Sequence, residues 1–457
     1  MIKRFFKNVS LKRDLTNGNI AGHIWFLSLP IIVTNLLQTL FNLVDMFWVG
    51  KLGPDAIAAV AMSGTILMIV MFFMIGIGAG TTALISRFIG GKENALADNT
   101  AMQSITMSFF ISVLMSAAGY FYSPWLLEIL GASSEVVMCG TGYLQIIFAS
   151  IFVMFFLFLI SAIFQGAGDV KTPMLLLAFS TLINIILDPL LIFGIGPFPE
   201  MGINGAAWAT VISRAIGSII ALEILLKGRS LIHVRLSEYR LDFNIMWRIF
   251  KIGISSSAQM SFRSMMNLAI MALVASFGTF AVVAYGIGTR LEMIVIMPGF
   301  GFAGAAATLV GQNLGAQNSS RAEKSGWVAT SYYAVFMVAM TLIFLAFAPF
   351  LVSIFNNNSE VVRLGTTYLR IMALSFIFTA IGMTLNRSII GAGDTFPAMV
   401  NTFIGLWVVL IPLAFYLSKS TSLGLNGIWL AMLISSAVLA LLNTIYFKSG
   451  KWKLKKV

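Results

Sequence analysis

The chain has 457 residues, of which 59% are hydrophobic and only 10% charged, and its mean hydropathy of +0.93 lies well outside the range of soluble domains. In a soluble protein a formal charge of +12 would suggest nucleic acid. In a chain this apolar the placement of the charges matters more than their sum, and no nucleic-acid partner is expected.

Twelve apolar runs are each long enough to cross a hydrocarbon core of ~30 Å as a helix. They fall at about 24–49, 56–82, 99–122, 140–165, 173–196, 204–226, 244–275, 281–310, 326–350, 365–390, 397–418 and 424–448. The runs are too long for barrel strands and do not alternate. With the N-terminus inside, nearly all Lys and Arg outside the spans lie on or near the cytoplasmic face; only Lys51, Arg363, Arg370 and Lys419 fall near the other side. A multi-pass protein of the cell membrane with both termini cytoplasmic follows. The basic N-terminus followed by an apolar run resembles a signal peptide, but the run is too long and carries a polar stripe, so it reads as a retained first span. The single cysteine, Cys139, excludes an intramolecular disulfide.

In the first span Thr34, Gln38, Asn42 and Asp45 recur at the helical period and line one face. A charge at membrane depth costs a few kcal/mol and usually faces a bundle interior or an aqueous cavity, so Asp45 is the leading candidate for function. Pro30, earlier in the same span, is a kink or hinge candidate. The fifth span carries Thr181, Asn184 and Asp188 on one face, with Pro189 next in sequence to bend the helix. Thr210 in the sixth span comes to a similar depth. Pairing with Arg214, Arg263 or Arg290 is the competing, structural account of either Asp. Glu292 in the eighth span divides the same way, because Arg290 and Arg263 can both neutralise it; the three form a possible polar site in the second half.

An offset of 225 residues lays much of the second half on the first: Asn42 falls on Asn267, Gly76 on Gly301 and Gly90 on Gly315. SEVV recurs at 134–137 and 359–362, and GAGD at 166–169 and 391–394. Both GAGD copies read as capped turns. The loops at 87–98 and 312–323 read as glycine C-caps leading into short cytoplasmic helices. Six spans per copy is an even number, so the repeats are parallel, and a cleft between two lobes is the natural substrate path. The expected organisation is an N-terminal six-helix lobe over 1–226, a cytoplasmic linker over 227–243 and a C-terminal lobe over 244–457. The acidic pair is confined to the first half: the counterpart of Asp45 is Ile270, Gln38 is replaced by Arg263, and the region matching Asp188 reads VVLIP.

The stretches NLVDMFWVGKLGPDAIAAV (42–60), NIILDP (184–189) and GAAWATVISR (205–214), with the duplication and the paired GAGD turns, resemble the multidrug and toxic compound extrusion (MATE) transporters. The resemblance covers nearly the whole chain and implies efflux of organic, often cationic and polyaromatic compounds, driven by inward H+ or Na+ through alternating access of the two lobes. The DinF-like prokaryotic branch carries an Asp in span one and an Asn/Asp pair in span five, as Asp45, Asn184 and Asp188 do here, and Thr210 is similar to a polar residue beside that pair. The acids that the NorM-like branch places in spans seven and ten are missing. On this footing Asp45, Asn184, Asp188 and Thr210 are expected to hold H+ or Na+, and Gln38, Phe41 and Asn42 to contact substrate. No cofactor and no other metal is expected, and the protein is expected to be a monomer. A flippase for lipid-linked saccharides, of the related two-lobe superfamily, is the alternative, with Arg263 and Arg290 as the start of a cationic cleft. An intramembrane enzyme is disfavoured, since no HExxH, GxSxG or Cys-His cluster is present.

Overall fold

A computed structural model describes residues 13–455 except 229, 236, 238 and 239. Some of the basic residues on which the placement of the termini rests, at positions 3, 4, 7, 12 and 456, lie outside it, as does Arg229 of the linker.

Every predicted span is helical. The first half holds α1 (Ile20–Val49), α2 (Pro54–Gly90), α3 (Asn94–Ile129), α4 (Ser134–Ala149), α5 (Ile151–Ala167), α6 (Lys171–Phe193) and α7 (Ile203–Leu226). The second holds α8 (Phe243–Ala275), α9 (Thr279–Gly315), α10 (Ser319–Ser353), α11 (Ser359–Gly391), α12 (Thr395–Phe403), α13 (Ile411–Lys419) and α14 (Leu425–Lys448). A π-helical stretch, Ile404–Leu410, joins α12 to α13 as one span. Among the described residues ten helical segments are long and apolar enough to cross a membrane, and α4 with α5, bent by 51°, makes an eleventh. The fourth span expected from the sequence is this bent pair, broken at Ser150, which leaves the helical region at φ −106° and ψ 13°. The seventh span, α8, is a 33-residue helix that falls outside this apolar set, because residues such as Arg248, Lys251, Gln259 and Arg263 interrupt its apolar surface.

The repeated motifs are helix punctuation. SEVV opens α4 and α11, where Ser133 Oγ accepts from Val136 N–H at 3.4 Å and Asn358 Oδ1 accepts from Glu360 N–H at 3.0 Å. Each places a Glu in the first turn, where it favours the helix dipole. In each GAGD turn a left-handed glycine, Gly168 or Gly393, lets the following Asp N–H close onto the carbonyl of Phe164 (2.9 Å) or Ile389 (3.2 Å). Asp169 then caps α6, accepting from Thr172 N–H at 3.1 Å and Thr172 Oγ1 at 2.7 Å. Burial pushes the Asp169 carboxyl up from its ordinary value, and these hydrogen bonds work against that. The glycine cap expected at 87–98 is Gly91, which closes α2, whereas at 312–323 Ala316 takes that place; in both loops the left-handed residue comes next, Lys92 (φ 60°) and Gln317 (φ 58°). That geometry closes Glu93 N–H onto Phe88 and Asn318 N–H onto Asn313, each at 2.8 Å, so α3 and α10 start at once without a separate short helix.

The chain divides into two compact units, and the division runs through the first helix of each copy. One unit contains Pro30–Ile254; the other contains Leu15–Leu29 together with the chain from Ser255 onward. The breakpoints after Leu29 and Ile254 are one repeat offset apart. In the second unit Trp25 lies edge-on to Phe302 and Tyr332, with ring centroids 5.4 and 5.7 Å away.

The segment that follows the sixth span is fastened the same way in both copies. In the first unit His233 N–H donates to Asp98 Oδ1 at 2.8 Å, at the start of α3. In the second, Lys453 Nζ donates at 2.5 Å to Glu323, the repeat partner of Asp98, at the start of α10. Trp452 is fully buried and stacks on Phe447 at 4.6 Å, and Lys455 lies 3.3 Å from Asp394.

Candidate functional site

The site is built where α1, α4, α6 and α7 meet inside the first unit. An apolar cluster that includes Val49, Tyr143, Ile192, Ile203 and Val211 fills the space there. Asp45 lies one helical turn along α1 from Val49, and Asp188 one turn along α6 from Ile192. The α6–α7 hairpin is close-packed: a Cβ on Gly205 would stand 2.4 Å from the Leu191 carbonyl oxygen. The loop between these helices returns Met201 N–H to Leu191 O at 3.0 Å and Gly202 N–H to Ile192 O at 3.1 Å. The hairpin thus sets the position of Thr210 relative to Asp188.

Asp45, Thr181, Asn184, Asp188 and Thr210 are all buried. Asn184 Nδ2 donates to Asp188 Oδ1 at 2.9 Å. Four buried oxygens have no hydrogen-bond partner: Asp45 Oδ1, Thr181 Oγ1, Asn184 Oδ1 and Asp188 Oδ2. Buried polar atoms are nearly always satisfied, so four orphans of one chemical kind are informative. The two carboxyls are close enough to repel, and Tyr143 is within electrostatic reach of both. Such a pair is uncomfortable in an apolar setting unless a proton or a cation shares it. An all-oxygen set with two carboxyls suits a proton or a hard cation.

Arg214 does not close an ion pair with Asp45. Its guanidinium stands 4.9 Å over the Phe41 ring, within electrostatic reach of Asp45, and Asp45 Oδ1 stays unpartnered. Phe41 itself is only 2% exposed, so it lies inside the lobe against Arg214. Gln38 Nε2 donates to Asn42 Oδ1 at 3.2 Å, and Asn42 is exposed. Pro30 sits at the unit boundary within α1, where its carbonyl accepts from Thr34 Oγ1 at 2.8 Å.

In the second unit Glu292 is not neutralised by Arg263 or Arg290. It accepts from Tyr368 Oη at 2.7 Å, in a nest where Tyr368 meets Trp429 edge-on at 4.7 Å and Tyr285 at 5.7 Å. The electrostatic neighbour of Arg263 is instead Arg387, a residue that sequence reasoning passed over because it stands near the end of its span. Thr181, on the acidic face of α6, also belongs with the site through its unpartnered hydroxyl.

A duplicated, all-helical membrane protein whose first half alone encloses a carboxyl pair has the architecture of a two-lobe secondary transporter. The MatE family model matches residues 30–190 and 256–416, one segment in each copy, and the chain belongs to that family of MATE transporters. It is similar to a probable multidrug resistance protein NorM of Thermotoga maritima, 28% identical over 455 residues, covering 99% of this chain and 97% of the relative. A probable multidrug resistance protein YpnP of Bacillus subtilis is 29% identical over 454 residues, with 97% and 98% covered. Among solved structures, a MATE protein crystallised in a bent conformation superposes with a TM-score of 0.89 at 26% identity, covering 95% of this chain and 96% of that one.

Proposed function

We propose that this protein is a multidrug efflux antiporter that exchanges organic, often cationic and polyaromatic compounds for H+ or Na+. The observation that carries the reading is the set of unpartnered, buried oxygens gathered around Asp45 and Asp188 in the first lobe. The similarity to proteins named for multidrug resistance supports the substrate class. A cation entering from outside binds at Asp45, Asn184 and Asp188, with Thr210 and Thr181 beside them, and relieves the repulsion between the carboxyls. The neutralised lobe then favours a different conformation from the empty one, and release of the ion inside resets it. By linkage the drug must disfavour the ion-bound state as much as the ion disfavours the drug-bound one. Gln38 and Asn42, beside the acid on α1, contact the drug, with Phe41 behind them. Pro30 is the hinge by which α1 bends. The protein works as a monomer in the cell membrane with both termini cytoplasmic, and it performs no covalent chemistry. The DinF-like arrangement of acids is the branch it follows.

Efflux of ethidium from proteoliposomes tests this under a pH gradient and a Na+ gradient in turn. Wild type is expected to export dye under one of them, and Asp45→Asn and Asp188→Asn to bind dye without gradient-driven export. Export by both variants at the wild-type rate would remove the two carboxyls from the mechanism.

A further inference from the structure

The first lobe carries a cation of its own. Arg214 on α7 is half-buried, with its guanidinium 4.9 Å over the Phe41 ring of α1 and its Nε enclosed without a hydrogen-bond partner. Two observations fix how these helices run side by side. Val49 of α1 and Ala206 of α7 belong to one apolar cluster, and Phe41 meets Arg214 at the ring. Four-residue steps lead from Val49 through Asp45 to Phe41 on α1, and from Ala206 through Thr210 to Arg214 on α7. The helices are therefore antiparallel and in step. Asp45 and Thr210 share a level, and Arg214 stands one turn from it, about 5.4 Å along the axis.

An unpartnered donor thus lies one turn from an unpartnered acceptor, Asp45 Oδ1, inside one lobe. Rotation about the three-carbon stem of an arginine covers that distance. The face of Phe41 holds the guanidinium by its ring quadrupole, and a carboxylate holds it by two parallel, charge-assisted hydrogen bonds, so Arg214 has two partners within reach. The set occurs once in the chain. In the second lobe the counterparts of Phe41, Asp45, Thr210 and Arg214 are Met266, Ile270, Met432 and Ser436. The guanidinium is missing where the acid is missing, as inherited scaffold would not be.

We infer that Arg214 is an internal competitor of the coupling cation for Asp45: it rests on Phe41 while the ion holds the acid pair and turns onto Asp45 when the ion leaves. The emptied lobe then never holds two bare carboxylates. Among the described residues the ionisable groups facing Asp45 are Asp188 on α6, Tyr143 on α4 and Arg214, and Arg214 alone brings positive charge. The inference rests on the reading of Asp45 and Asp188 as the cation site and adds the group that helps to expel the ion.

The test is equilibrium competition of Na+ and of H+ against bound ethidium, on full-length protein in phosphatidylcholine nanodiscs without a gradient, with each variant's own ethidium affinity measured first. Arg214→Gln removes the competitor and keeps its bulk, so the coupling ion should displace ethidium at about a tenfold lower concentration than in wild type. Phe41→Leu removes the resting ring and frees Arg214 for Asp45, so the same ion should be needed at about threefold higher concentration or more. In the double variant the change at Phe41 should have no further effect. A lobe merely loosened by substitution binds the ion worse in every variant, and a guanidinium fixed in place leaves Phe41→Leu like wild type; either pattern overturns the inference. Should Arg214→Gln not fold, Arg214→Lys takes its place. An ammonium cannot grip the carboxylate with a planar fork, so the ion should again bind more tightly than in wild type, and equal or weaker binding refutes the inference. Ethidium displaced by neither ion in wild type would defeat the exchange reading and the inference with it, whereas an ion that competes in wild type but no better in Arg214→Gln defeats the inference alone.

Discussion

Gly205 and Gly427 are repeat partners that close the same hairpin in the two lobes, and substituting each by alanine separates packing from ion binding. A Cβ at Gly205 would stand 2.4 Å from the Leu191 carbonyl oxygen and 2.5 Å from its carbon; at Gly427 it would stand 2.6 and 2.5 Å from the same atoms of Leu417. Both obstacles are backbone, so no rotamer change relieves them. Ordinary contact needs about 1 Å more, so α7 must shift from α6, and α14 from α13, by about that distance. Overpacking of this kind costs about 1–3 kcal/mol, which lowers the melting temperature by several degrees for a lobe of this size. The two variants should therefore melt alike. Only Gly205→Ala moves Thr210 against Asp188, and a displacement near 1 Å in a preorganised oxygen set is expected to weaken cation binding by roughly tenfold. Thermal unfolding in detergent gives the first quantity, and competition of H+ and Na+ against bound ethidium gives the second. Equal loss of ion competition in Gly427→Ala, or none in a destabilised Gly205→Ala, would refute the assignment of the cation to the first lobe.

Asn184→Ala removes the donor that stabilises the Asp188 carboxylate and one unpartnered oxygen together; a charge-assisted hydrogen bond is worth about 1.5–3 kcal/mol, so in the same competition assay H+ should compete about tenfold or more better, whereas Na+, which loses an oxygen, should compete less well. Glu292→Gln still accepts from Tyr368 and should leave gradient-driven export intact, whereas Tyr368→Phe deprives Glu292 of its hydrogen bond and should cost about 1–3 kcal/mol in thermal stability. Loss of export in Glu292→Gln would move that residue into the ion pathway. Trp452→Ala removes the stack on Phe447 that holds the C-terminal segment; by the usual cost of truncating a buried Trp, opening should become easier by about 3 kcal/mol, and trypsin should cut after Lys451 about a hundredfold faster.

The spans were legible because membrane-crossing helices announce themselves as long apolar runs, and the repeat because its glycines and caps do the same mechanical work twice. Asp45, Asn184 and Asp188 stood out for the complementary reason: a carboxyl or amide in such a run needs an explanation. Partnership was less legible. Nothing in the neighbourhood of Glu292 in sequence points to Tyr368 or Trp429, which lie on other helices, and the arginines nearer in the chain were the natural but mistaken guess. Arg387, four residues from the end of α11, reads as an ordinary cytoplasmic charge, although the fold half-buries it within electrostatic reach of Arg263. The bend at Ser150 has no proline or glycine at the breaking point to betray it, whereas the π-helix after Phe403 carries Gly405 and is followed by Pro412, residues common enough in membrane helices that neither singles it out.

The breakpoints after Leu29 and Ile254 bear on the ancestry of the chain. Each compact unit includes the opening turns of the first helix from the other copy, so neither copy is complete by itself. A single-copy ancestor of this design could have filled that place only by exchanging helix ends with a second molecule, which is domain swapping in a homodimer. Duplication and fusion would then have turned an exchange between two chains into one within a chain. Within one chain the two copies can differ, as Asp45 and its counterpart Ile270 do, which the subunits of a symmetric dimer cannot. In the present chain that exchange of helix ends is reciprocal and is held by a single continuous backbone.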